Sequence, residues 1–96
     1  MLYAVICTDK PGHLQVRLDT RPEHLAYLTS LGKVLKFAGP FLGPDEKPTG
    51  SLLVVEADSL DAAEAIAAGD PYAKAGLFSN VAVTRWNWTV NNPDAA

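Results

Sequence analysis

The opening run Leu2–Thr8 carries apolar side chains on both faces of a strand, Tyr3 and Val5 on one and Ala4 and Ile6 on the other. The run Ser51–Ala57 repeats the pattern, with Leu52 and Val54 opposing Leu53 and Val55. Successive strand residues point to opposite faces, so a sheet built from these runs must be covered twice. Two further runs read as strands: Val34–Phe41, ended by Gly39-Pro40, and Val81–Trp88. Between them lie helical signals. Thr20-Arg21-Pro22-Glu23 fits a capping box with Pro in the first turn, opening a helix to about Leu31 that Gly32 stops. Asp58 or Ser59 caps a second helix, Leu60–Ala68, ended by Gly69. Asp9-Lys10-Pro11-Gly12 breaks the first strand, His13–Asp19 is ambiguous, and Phe41–Gly50 is a Gly- and Pro-rich loop.

The order β-α-β-β-α-β predicts an α+β fold of the ferredoxin-like split type, with two helices on one face of an antiparallel sheet. The second apolar face predicts a homodimer packed sheet to sheet. Residues 1–90 read as one domain and residues 91–96 as a polar, disordered tail.

Charge and cysteine usage narrow the function. Eight basic and eleven acidic residues leave a net charge of −3, with the basic side chains scattered. That excludes nucleic acid as a partner, since phosphate neutralisation needs clustered Lys and Arg. No apolar run approaches the ~20 residues of a membrane span, and no signal-peptide pattern opens the chain. The single cysteine, Cys7, sits in an apolar run and reads as a small buried hydrophobe. These features point to a cytoplasmic protein. His13 and His24 lack second ligands at metal spacing, and neither a phosphate-cradling Gly loop nor a nucleophile elbow is present, so no metal or cofactor is expected.

His24 is the main candidate for chemistry. It falls between Leu28 and Leu31 on the apolar arc marked by Leu25, Leu28 and Leu31, so it turns toward the core side of its helix. Histidine titrates near neutrality, and a carboxylate on one ring nitrogen leaves the other to exchange a proton. A core histidine held by a backbone carbonyl is the alternative. Asp70, before Pro71, should be extended and should cap a short turn at Pro71-Tyr72-Ala73. It could do so with one oxygen and orient His24 with the other. Arg17 and Arg21 could hold an anionic substrate, or pair with Asp9, Asp19 or Glu23. Ser51 and Tyr72 could line a pocket, though packing or turn formation also explains them. Trp86 and Trp88 share a strand face and read as core or interface aromatics.

Tyr3, Asp9, Arg17, Arg21-Pro-x-His24-Leu25, Gly39-Pro40, Gly50-Ser51 and Asp70-Pro71-Tyr72 together resemble the YciI-like proteins, over Met1 to about Trp88. The resemblance implies a dimeric α+β barrel, in which two ferredoxin-like sheets pack together. It also implies a His–Asp active site, which maps to His24 and Asp70. A related branch includes a dehydrochlorinase of chlorinated hydroxyquinols, and muconolactone isomerase is similar in fold. The loop Leu42–Thr49 looks shorter than in typical members, which bears on the pocket wall. The expectation is thus a small homodimeric enzyme, of lyase or isomerase type, acting on a small polar cyclic or unsaturated molecule. A non-catalytic ligand-binding or regulatory dimer using the same cleft is the alternative, and a purely structural dimerisation domain a third reading.

Overall fold

In the computed structural model, which describes residues 1–93, strand β1 (Leu2–Asp9) lies inside the sheet. It pairs antiparallel with β3 (Pro48–Glu56) on one side and β4 (Phe78–Trp86) on the other. Strand β2 (Leu35–Leu42) pairs antiparallel with β3, so the order is β2-β3-β1-β4. Helices α1 (Leu14–Leu31), α2 (Leu60–Gly69) and the short α3 (Pro71–Lys74) complete the α+β arrangement, with a 3-10 turn at Gly32–Val34. No helix among the described residues is long and apolar enough to cross a membrane.

The strand parity read from the sequence sets the core. Tyr3, Val5 and Cys7 stand opposite Val55, Leu53 and Ser51 in register. The apolar members of that set form one buried cluster with Ala57, Ala63 and Ala67, so α2 seals this face with small residues. Gly50 allows the close approach of β3 to β1, since a Cβ there would collide with the Cys7 carbonyl oxygen.

The sheet is not closed into a barrel, and the dimeric α+β barrel expected from the resemblance is corrected to an open four-stranded sheet with β2 and β4 as its edges. Closure needs more strands than these, around eight in small barrels. Nor is the second face left to another sheet alone. Phe37, in register with Val54, meets the rings of Trp86 and Trp88 edge-on, at centroid distances of 5.8 and 5.0 Å. Val54 and Ala4 on that face are 1% and 8% exposed, whereas Ile6 and Phe41 remain 41% and 43% exposed.

Several boundaries differ from the expectation. α1 begins at Leu14, not Thr20, so Thr20–Glu23 is no capping box and Pro22 lies inside the helix. The early start follows from Arg17, whose guanidinium is tied to Asp9 and Ser51 on the sheet. Those bonds hold the ambiguous stretch in helical geometry, over the loss of one hydrogen bond at Pro22. Pro40 lies within β2 instead of ending it, tolerated because β2 is an edge. The expected loop shrinks to a hairpin turn closed by the Gly43 amide donating to the Lys47 carbonyl at 2.9 Å. Trp88 falls beyond β4. Of the expected tail, residues 94–96 lie outside the described residues.

Candidate active site

The helix α2 stops at Gly69, and Asp70 turns the chain with extended backbone (φ −64°, ψ 129°). Pro at the next position enforces that conformation. Asp70 Oδ1 then accepts the Tyr72 backbone N–H at 2.9 Å, which caps α3. The same oxygen lies 2.9 Å from His24 Nδ1, and Oδ2 lies 3.1 Å from it. One oxygen therefore serves both roles, where one for each was expected. With the carboxylate as acceptor, Nδ1 is the nitrogen that carries the proton, and Nε2 is left without a side-chain partner. Both side chains are buried, 10% and 3% exposed. No buried side-chain nitrogen or oxygen among the described residues lacks a partner, and Nε2 has none, so Nε2 reaches the open space of the adjoining cleft. A buried imidazole held by a carboxylate and open at its far nitrogen is the geometry that acid/base chemistry requires.

Tyr72 fixes the imidazole from its face. The two rings stack at 3.9 Å with 14° between planes. The Arg17 guanidinium lies 4.6 Å from the Tyr72 ring centroid. Arg17 is itself locked: Nε and Nη2 donate to the two Asp9 carboxylate oxygens at 2.7 and 2.8 Å, and Nη2 also donates to Ser51 Oγ at 2.9 Å. Burial works against its charge, but the Asp9 hydrogen bond and charge outweigh that and raise its pKa further. Arg17 and His24, two turns apart, are the buried residues of α1.

The cleft beside this cluster has a volume of about 300 Å³ and lies between α1 and the β2–β3 half of the sheet. Leu18, Leu25, Leu28, Ala38, Pro40 and Leu53 make its walls apolar. Arg17, Arg21, His24, Ser51 and Tyr72 supply its polar side. All six residues singled out in the sequence thus meet around one space: five line it, and Asp70 stands behind His24. The arrangement nevertheless separates the two arginines. Arg17 is committed to Asp9 and Ser51, while Arg21 makes no hydrogen bond or ion pair with any described residue.

In the sequence Asp9 stands among the residues of the family resemblance and as a possible partner of an arginine, and Cys7 as core. Both lie close to the site, and their signal was the strand parity that puts Cys7 opposite Ser51. Burial pushes the Cys7 thiol from 9.0 up to about 12, with the Asp70 charge adding to the rise, Arg17 opposing it and Asp9 adding again. Burial, assisted by Asp70, also raises Tyr27. Between pH 9.0 and about 12 the unfolded chain ionises Cys7 while the folded chain keeps it neutral, so its contribution to stability is full below that window and is lost through it. The stability difference between the protein and Cys7→Ala should therefore be constant to about pH 8 and shrink by about pH 11. Chemical denaturation at stepped pH measures this, and a pH-independent difference would contradict it. The native thiol should also resist alkylation except through unfolding.

The YCII-related domain family matches residues 1–87. Protein YciI of Escherichia coli O6:H1 (strain CFT073) is 41% identical over 92 residues, covering 86% of this chain and 93% of the relative. An uncharacterized protein of Haemophilus influenzae is 38% identical over 91 residues, with the same coverage of 86% and 93%. The solved 5-chloro-2-hydroxyhydroquinone dehydrochlorinase (TftG) of Burkholderia phenoliruptrix AC1100, in complex with 2,5-dihydroxybenzoquinone, is similar at a TM-score of 0.86 and 41% identity, covering 96% of this chain and 99% of that one. A NIPSNAP family protein of Agrobacterium tumefaciens, at a TM-score of 0.57 and 17% identity, shares the fold alone and covers 98% of this chain and 97% of its own. By its match to the family over nearly its whole length, and by its identity to YciI, the chain belongs to the YCII-related family.

Proposed function

We propose that this protein is a lyase- or isomerase-type enzyme in which His24 is the general acid/base and Asp70 its orienting partner. The observation that carries the reading is the buried Nδ1–carboxylate contact behind a free Nε2 at an apolar cleft. The dehydrochlorinase similarity supports the reaction class, with a small hydroxylated ring as substrate. In this reading Nε2 takes a proton from a substrate O–H or C–H, and the electron pair left behind forms a new double bond. In an elimination the leaving group departs with its bonding pair, and the imidazolium then gives its proton to solvent. In an isomerisation the imidazolium returns the proton to a different carbon. Asp70 stabilises the imidazolium, and Tyr72 keeps the ring in plane. Ser51, Tyr72 and Arg21 contact the substrate, while Arg17, on the same lining, is held in place by Asp9 and Ser51.

The test is turnover of chlorinated hydroxyhydroquinones by the protein and three variants. His24→Ala and His24→Gln should lower kcat/KM by about 10²–10⁴-fold. Asp70→Asn should keep the fold, since Asn caps about as well as Asp, yet lose activity because it cannot stabilise an imidazolium through charge. Activity within about twofold of the parent in His24→Gln would sink the mechanism. Tight binding without turnover by the parent protein would favour a ligand-binding module instead.

The reading includes a cytoplasmic homodimer meeting through the second sheet face, supported by the exposure of Ile6 and Phe41 there. Sedimentation at micromolar concentration should give a dimer mass that falls in Ile6→Glu. A monomer in the parent protein would contradict it.

A further inference from the structure

We propose that the cleft takes its substrate as an anion, an ionised hydroxyl or carboxylate on the ring, and that Arg21 is the residue that selects this form. The inference rests on the enzyme reading above for the place of the reacting ring. It concerns charge, which that reading leaves open.

Among the described residues no Asp or Glu lines the cleft. The two nearest carboxylates lie beneath it, each already matched: Asp9 with Arg17, and Asp70 with His24 and the α3 amide. Asp19 and Glu23 on the same helix are each two residues from Arg21, about 200° round the axis. Asp19 accepts from Gln15 at 2.8 Å. Arg17 is the less available of the two, because Asp9 takes Nε and Nη2 in a bidentate pair and Ser51 shares Nη2, which leaves only its Nη1 donors. Arg21 keeps its whole guanidinium, exposed at the cleft one turn before His24, with no hydrogen bond or ion pair among the described residues. The net charge of the chain is −3, yet the charged side chains that line this cleft are two arginines, Arg17 and Arg21.

Their charge is felt inside. Burial pushes the Tyr72 phenol up, while the charges of Arg17 and Arg21 pull it down against burial and Asp70. The apolar walls lower the local dielectric and strengthen any such interaction over its value in water. Ser51 Oγ accepts from Arg17, so its own hydrogen is free to donate. Arg21 and Ser51 thus both offer donors to the cleft, and the Nε2 of His24 opens on the same space. Such a site suits a ring bearing one ionised oxygen for Arg21 and one proton still to be removed by His24.

The probe is 4-nitrocatechol, whose visible spectrum separates the phenol from the phenolate. Bound to the protein, it should show the phenolate band at a pH about one unit below its own pKa. Arg21→Gln should abolish that shift and weaken binding about tenfold, equivalent to about 1.4 kcal/mol. Arg21→Lys should restore most of it, and His24→Gln should keep it. Binding as the neutral phenol, no binding by the parent protein, or a phenolate band that survives Arg21→Gln would overturn the proposal. So would a band lost in His24→Gln alone, which would mean that the imidazole had simply taken the proton. An intact Arg21-dependent band with no turnover of any substrate would defeat the enzyme reading and leave this one standing.

Discussion

The Asp70 carboxylate is the point on which the site depends. It sits where α2 must stop, in the backbone conformation that Pro71 requires, and one of its oxygens both caps α3 and meets His24. The cap places Tyr72, and Tyr72 stacks on the imidazole, so the carboxylate fixes its partner twice, by hydrogen bond and through the ring it positions. A local rule of helix capping thus becomes a device for holding a base. Little separate structure is needed, which suits a chain of 96 residues.

A second ion pair does for the sheet what Asp70 does for the helices. Asp9 ends β1 just past an irregularity in its pairing with β4, and it receives Arg17 through two nearly buried hydrogen bonds. Removing one member would strand the other away from water, a loss of about 3–5 kcal/mol in comparable pairs. The contact draws the first turns of α1 onto the strand ends and supports one side of the cleft through Ser51. Arg17 and Tyr72 then link the two buried carboxylates into one contiguous cluster. Within it Arg17 offsets the Asp9 charge, and Asp70 is held by the His24 imidazole and the α3 amide.

Much of this was legible in the residues. The strand parity of Tyr3, Val5, Leu53 and Val55, the Gly69-Asp70-Pro71 punctuation and the inward face of His24 are local patterns with local causes. What escaped were features decided by distant partners. The capping signals at Thr20–Glu23 lost to Arg17, whose bonds to Asp9 and Ser51 extend α1 back to Leu14. Leu25 was read as core but is 42% exposed at the cleft, because the most deeply buried positions of α1 are taken by Arg17 and His24. Pro40 reads as a stop unless the strand is known to be an edge. The barrel failed for a related reason. Two-faced strands show that a second face is covered, but not that Phe37, Trp86 and Trp88 of the same chain would cover part of it.

In the proposed mechanism Asp70 holds His24 with Nδ1 protonated and Nε2 bare toward the cleft. Long-range proton–nitrogen NMR correlations of the neutral imidazole, recorded on protein labelled with nitrogen-15, read the tautomer directly. The Nδ1–H form, the minor tautomer of free histidine, is expected for His24, with a drift toward the Nε2–H form in Asp70→Asn. An Nε2–H tautomer in the parent protein would contradict it, since the nitrogen facing the cleft would then have no lone pair with which to take a proton.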